Sequence, residues 1–438
     1  MTLNRRGALA GGAGLAAVMA TGQATAADAL RVRKSAAQLT ASSDDVMAFG
    51  DAVRIMKRRT DSLSWEAQNR IHATRAQHGN YRFLPWHRLQ VAHLERIVGR
   101  LTGHTRFAMP YWDWQMDRYL PSWVVDPASP LYERQRDPGV DRLDFNKARY
   151  ARSGEVARVA DDDFTAFCGR PGAAGRVEAY GHNLIHMLVG GYMSSTATAA
   201  RDPVFWLHHC NIDRVWATWH GKFGDAAYPQ AWKNVQTADF TGPDGRSTGA
   251  WRTSRITDTR GLGYQYDRLY APLVFAVGPG MMGGGPVRTT LHSSRIEARP
   301  GDRSLRLELP PEVVRTLREA PGRVTASGEG VVQWTRSDAL INQALHTGLV
   351  SGGKALDFGA VPTFFHLDGD HAAMAGMAMG DTYGHVFTFG QGLQAWARAT
   401  RDPLVLVAVT EDLRPDLRRA PPAPASLEFT LSLTEFAA

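Results

Sequence analysis

Histidine spacing constrains this 438-residue chain more than any other feature. Of its 15 histidines, five lie between Ile71 and His104 and five between His182 and His220. In the first group, Ile71-His72 and His78-Gly79-Asn80 precede Phe83-Leu84-Pro85-Trp86-His87-Arg88. Apolar residues then fall at Leu89, Val91, Leu94, Ile97 and Val98. That spacing is helical and puts His87 in the first turn, just past Pro85, where a fixed backbone angle is tolerated. His78 falls on the entering loop, and His72 closes a preceding helix packed by Trp65, Gln68 and Ile71. The second group opens with His182-Asn183-Leu184-Ile185-His186, whose two imidazoles, four residues apart, share one helical face. Asp202-Pro203 then leads through His208-His209 to Trp216, with Leu207, Ile212, Val215 and Trp219 marking the apolar face of a fourth helix. One of His208 and His209 completes a second set of three; spacing alone leaves both open.

Two sets of three neutral imidazoles favour copper or zinc over calcium, magnesium or manganese. A metalloprotease motif requires glutamate where Asn183 stands. A ferritin-like di-iron bundle requires Glu-x-x-His motifs, which do not occur. A mononuclear zinc hydrolase leaves one triplet unused.

The chain is long enough for two domains and a buried site. Its apolar content of 44% and charged content of 21% are those of a globular protein. The formal charge of +7 comes from scattered arginines, without the basic stripe and interleaved aromatics of a nucleic-acid binder. Arg5-Arg6, an Ala/Gly-rich stretch to Gly22 and Ala24-Thr25-Ala26 have the layout of a signal peptide over 1–26. The paired arginines suit the twin-arginine export of folded proteins. The expectation is a periplasmic or secreted chain starting near Ala27, with no stable membrane anchor. The only cysteines, Cys168 and Cys210, permit at most one disulfide, and Cys210 reads as a small buried residue beside the site.

After Val287 the helical pattern fades. Leu305 to Leu309, Val331 to Trp334, Leu404 to Val409 and Leu427 to Leu433 read as short strands between Gly/Pro turns, so a β-sandwich is expected over 287–438. Within it His366, His371, Met374, Met377, Met379 and His385 crowd together. Such ligands suit copper(I), and a loop of packed methionines is the competing reading.

The blocks His78-Gly79-Asn80 with Phe83 to Arg88, Pro110-Tyr111-Trp112-Asp113-Trp114, His182 to His186 and Asp202-Pro203 to Arg214 resemble type-3 copper proteins, the tyrosinase, catechol oxidase and polyphenol oxidase group. The likeness runs from about Trp65 to Trp219. It implies a mainly α catalytic domain over 27–286, with a four-helix bundle holding two copper ions. By position in the family's motifs, His72, His78 and His87 hold one copper and His182, His186 and His209 the other, with His208 outside the ligand set. The implied reaction is the dioxygen-dependent oxidation of catechols, monophenols or o-aminophenols to quinones. Its partners are a small phenol and dioxygen; any copper-loading partner is unidentified. The alternative is an oxygen-binding or copper-storage protein of the cell envelope.

Asn183 matches the asparagine that helps orient a proton-accepting water in the family. The usual acidic partner is sought among Glu133, Glu155, Asp161, Asp162 and Asp163. Pro121-Ser122, Ser129 to Tyr132 with Arg134, and Gly263-Tyr264-Gln265-Tyr266 resemble plant-type polyphenol oxidases. The tyrosine motif marks the end of their catalytic domain, and Arg31 or Arg33 is placed to pin it. In those relatives a C-terminal domain covers the site and keeps the enzyme latent. The thioether crosslink of many relatives cannot form, because Ala76-Gln77 precede His78. Met187 to Met193 should shape the entrance, where Gly190-Gly191 leave little bulk and suggest an accessible pocket.

Overall fold

The computed structural model describes residues 30–145, 164–237, 239–270, 287–299, 302, 304–321, 324–335, 343–358, 382–389, 393–399, 401–412 and 425–435. The leader, most of the Met/His stretch, and Glu155 with Asp161 to Asp163 fall outside them.

Helix α1 (Asp44–Lys57) packs on a core of α2 (Trp65–Arg75), α3 (Phe83–Thr102), the short α4 (Phe164–Cys168), α5 (Asn183–Val189) and α6 (Pro203–Phe223). Local chemistry fixes their ends. The Ser64 hydroxyl accepts from Ala67 N at 3.0 Å and caps α2. In α6, Asp202 accepts from Val204 N at 2.9 Å, with Pro203 in the first turn. Gly103, at φ 77°, ends α3 in a conformation that costs glycine little. Helices α3 and α6 are buried on nearly all faces, so they form the centre of the fold rather than its surface.

Strand β1 (Arg31–Arg33) runs parallel to β4 (Tyr264–Tyr266), pairing Arg31 with Tyr264 and Arg33 with Tyr266. Both arginines pin the tyrosine motif. Arg31 Nε and Nη2 donate to Gly263 O and Leu262 O at 3.2 and 3.1 Å. Arg33 lies 3.6 Å over the Tyr264 ring centroid.

The C-terminal part contains two sheets. One has the order β2 (Gly169–Arg170), β3 (Ala173–Ala174), β10 (Thr382–Phe389), β7 (Val324–Thr335), β12 (Ser426–Glu435) and β5 (Val287–Glu297). The other has the order β6 (Ser304–Glu308), β11 (Leu404–Asp412), β8 (Gln343–Ser351) and β9 (Lys354–Phe358). They share one core, in which Val332 and Phe429 of the first sheet meet Leu305 and Leu406 of the second. Three of the four expected strand segments fall within β7, β11 and β12, and the fourth, Leu305 to Leu309, overlaps β6, which ends at Glu308. Helices α7 (Pro311–Glu319) and α8 (Leu393–Ala399) add Leu317 and Trp396 to the core.

Candidate metal centre

Seven imidazoles converge where α2, α3, α5 and α6 meet, and each is positioned by backbone geometry. His72 lies in the last turn of α2, His78 on the loop beyond it, and His87 early in α3. A π-helical turn over Val177–His182 runs straight into α5, which carries His186. Such turns recur at functional sites because the extra residue re-aims side chains. His208 and His209 come from the buried second turn of α6. The other three clustered histidines stay outside: His93 stacks on Phe240, His104 meets Asp45, and His220 meets Tyr228.

Ring centroids within the first expected triad are separated by 5.4 Å (His72–His78), 5.0 Å (His78–His87) and 5.6 Å (His72–His87). In the second they are separated by 4.3 Å (His182–His186), 4.8 Å (His182–His209) and 5.6 Å (His186–His209). The nitrogens also group in another way: those of His72, His87 and His209 lie within 4.8 Å of one another, as do those of His182, His186 and His208. The cluster is compact enough that ring distances do not by themselves partition it.

Hydrogen bonding fixes which nitrogen faces inward. His72 Nδ1 meets Thr196 O at 2.9 Å, His87 Nδ1 meets Phe83 O at 2.9 Å, and His186 Nδ1 meets Met193 O at 2.6 Å. A carbonyl only accepts, so each Nδ1 carries the proton and each Nε2 keeps its lone pair for a metal. His182 Nδ1 is held likewise by Asn183 Oδ1 at 2.8 Å. His208 is the reverse case. Trp114 Nε1–H donates to its Nδ1 at 3.1 Å, so neutral His208 carries its proton on Nε2 and has no inward lone pair. His209 Nε2 faces His182 Nε2 at 3.2 Å.

Burial holds every ring neutral. It pushes His72 down to about 4 and His208 to about 3, and keeps His78, His87, His182, His186 and His209 well below the ordinary histidine value. Nε2 of His72, His87 and His208 and Nδ1 of His209 are buried without a hydrogen-bond partner. Such atoms in the interior cost free energy unless something else satisfies them, and for the unprotonated Nε2 of His72 and His87 a metal would do so. Neutral nitrogen donors without a carboxylate or thiolate fit copper.

Among the described residues a buried acid, Glu178, stands one helical turn before His182; of the five acids considered from the sequence, only Glu133 lies within the described residues. The buried Oε1 of Glu178 accepts from Gly79 N at 2.8 Å, and its Oε2 has no hydrogen-bond partner. Burial raises its carboxyl to about 8, against the Gly79 hydrogen bond. Glu133 instead accepts from Gln135 N in its own loop at 3.0 Å. The spacing Glu178-x-x-x-His182 was the available signal.

Gly190-Gly191 do not leave the open space expected of them. The 135–137 loop fills the space these glycines leave: a Cβ on Gly190 would lie 2.0 Å from Asp137 Cγ, and one on Gly191 would lie 1.4 Å from Gln135 O. Gly191 N donates to Asp137 Oδ1 at 3.1 Å. The pair allows close packing, with φ of 68° and 55°, rather than opening a pocket. Cys168 and Cys210 are free and buried, their thiols donating to Tyr81 O and Met109 O.

A buried ionic cluster ties the ligand helices together. Asp213, one turn beyond His209, accepts from Arg88 Nε beside His87. It also accepts from Arg33 at 2.9 Å and from the Tyr264 and Tyr266 hydroxyls at 2.6 Å each. Arg33 further grips Glu95 with bonds of 2.8 and 2.9 Å. Burial opposes the Asp213 charge, yet Arg88 and Arg33 hold its carboxyl below the usual value.

This arrangement of helices and imidazoles is the one that the resemblance to type-3 copper proteins implies. The family model for the common central domain of tyrosinase matches residues 51–150 and 130–222. A tyrosinase of Hahella sp. (strain CCB-MM4) is 27% identical over 255 residues, covering 44% of this chain and 55% of its own. The latent polyphenol oxidase of Prunus armeniaca is 32% identical over 177 residues, covering 32% of this chain and 30% of its own. The chain thus spans about half, or less, of the length of these relatives. The fold is shared more widely. Latent aurone synthase superposes with a TM-score of 0.68 at 18% identity, covering 94% of this chain and 90% of its own. Latent apple tyrosinase superposes at 0.62 and 17%, covering 94% and 98%. Among the described residues no helix is long and apolar enough to cross a membrane.

Proposed function

We propose that the chain is a copper oxidoreductase that oxidises phenolic substrates with dioxygen. His72, His78 and His87 would hold one copper and His182, His186 and His209 the second. The observation that carries this reading is the set of buried neutral imidazoles whose Nδ1 protons are tied to carbonyl oxygens. The His208 tautomer supports His209 as the sixth ligand. Two copper ions so held supply the electron-transfer chemistry that couples dioxygen reduction to oxidation of a catechol. Four electrons balance: two catechols give two quinones while dioxygen becomes two waters.

The protein's own groups do the rest. Backbone carbonyls fix the tautomers, and Asn183 Oδ1 aims His182. A phenol titrates near 10, so proton removal limits monophenol use. Glu178 would hold and pass that proton at Oε2, with Asn183 orienting a water between carboxylate and substrate. Catechols and o-aminophenols need less of this help. The reading places a leader at 1–26, with twin-arginine export, a catalytic domain at 27–286 and a covering domain at 287–438.

Oxygen uptake by the copper-loaded mature protein with a monophenol, a catechol and an o-aminophenol tests the reading. Uptake abolished by His182→Ala is expected. No uptake with any substrate overturns it, leaving reversible oxygen binding or copper storage.

A further inference from the structure

Hairpin β2–β3 belongs to the helical part by sequence and to the C-terminal sheet by hydrogen bonding. It continues directly from α4, whose Phe164, Phe167 and Cys168 lie in the helical core. Strand β3 then enters the six-stranded sheet, parallel to β10, with Ala174 opposite His385. Ala174 is fully buried in the C-terminal core with Val332 and Leu427, while Ala173 packs with Val331. The hairpin has no room for a side chain at either glycine. A Cβ on Gly175 would lie 2.3 Å from Gly169 N, and one on Gly169 would lie 2.4 Å from Ala173 O.

The chain passes from this hairpin straight into the metal centre. Gly175 O accepts from Ala179 N at 3.0 Å and starts the π-helical turn. That turn carries Glu178, which binds Gly79 N beside His78, and ends on His182. No loop intervenes to absorb a displacement.

We propose that the C-terminal sheet is a scaffold for the second histidine triad. Strand β10 fixes β3, β3 fixes the start of the π turn, and the π turn aims Glu178 and His182. The C-terminal region is therefore a structural part of the centre as well as any cover over it. Only the copper readout of this proposal rests on the dicopper reading.

The test uses the full chain with a protease site inserted within 276–282, either as wild type or carrying Ala174→Glu, which drives a charge into the shared core. The wild-type pieces should co-elute after cutting and keep about two coppers. In Ala174→Glu the pieces should separate, and copper should fall to about one per chain while far-UV dichroism keeps its helical signal. Wild-type pieces that separate on cutting while the helical piece keeps two coppers overturn the proposal, as does an Ala174→Glu chain that keeps two. If that variant does not fold, separating the cut wild-type pieces in mild urea decides: loss of about one copper supports the scaffold, and retention of both overturns it. If the wild-type chain binds no copper, the dicopper reading falls, and co-elution alone still decides the shared sheet.

Discussion

The two halves of the candidate metal centre are built differently. His72, His78 and His87 sit on or between two long helices whose ends are fixed locally, by the Ser64 cap and by Gly103. His182 and His186 sit on a π-helical turn and a seven-residue helix, a segment too short to be stable without tertiary support. Its support comes from elsewhere: Met193 O on the His186 ring, and a hairpin held by a strand more than 150 residues away. The helices of the first half are thus ended locally, with Thr196 O on His72 and Glu178 on Gly79 as contacts from outside, whereas the short second segment depends on its neighbours throughout, so perturbations at a distance should reach the second half first.

The exception is Asp213, which serves both halves by binding Arg88 on α3 from its place on α6. Asp213→Ala would leave Arg33 and Arg88 buried without their shared partner, at a cost of about 3–5 kcal/mol. Denaturant unfolding should show that loss, with both coppers released together. Loss of one copper alone would break the view that Asp213 links the halves.

Acid should come next in effect. The folded-state value of His72, about 4, lies below the unfolded value near 6.5. The unfolded state therefore binds more protons, and stability present above pH 6.5 is lost as pH falls toward 4. His72 alone contributes roughly 3 kcal/mol on this basis, and the other buried rings add in the same direction. Asp213, also depressed, acts in a lower window: its contribution is lost as pH falls from the unfolded carboxylate range through its folded value. Unfolding of the metal-free protein across pH 8 to 3 checks both. A flat profile between 6.5 and 4 would contradict the buried neutral histidines.

Smaller substitutions sharpen the contrast. Ser64→Ala removes the α2 cap and should cost about 1 kcal/mol, lowering affinity for the first copper and leaving the second unchanged in a competitive chelator titration. Trp114→Phe removes the donor that fixes the His208 tautomer and should move only the second copper, by a few-fold in the same titration. An equal effect of either substitution on both coppers would erase the distinction between the halves.

The legible parts of the sequence were those with local causes. Helices carrying His87, His182 with His186, and His208 with His209 announce themselves through Pro85, four-residue spacing and Asp202-Pro203. Glu178 was equally local, one turn before His182, but an acid at the start of a helical segment also reads as an ordinary N-terminal charge. Helix α7 also carried a signal, with Pro311 opening it and Val313 and Leu317 on one face. The hairpin at 169–174 was not legible, because its glycines read as a turn and its strand partner, β10, lies far along the chain. The role of Gly190-Gly191 was hidden for the same reason, since the loop that fills their space comes from 135–137.

Copper content per chain, measured on the loaded wild type and on His87→Ala, His208→Ala and His209→Ala, tests the central claim most directly. About two coppers are expected for the wild type and for His208→Ala, and about one for each of the other two. One copper in the wild type, or loss at His208 with retention at His209, would contradict that claim.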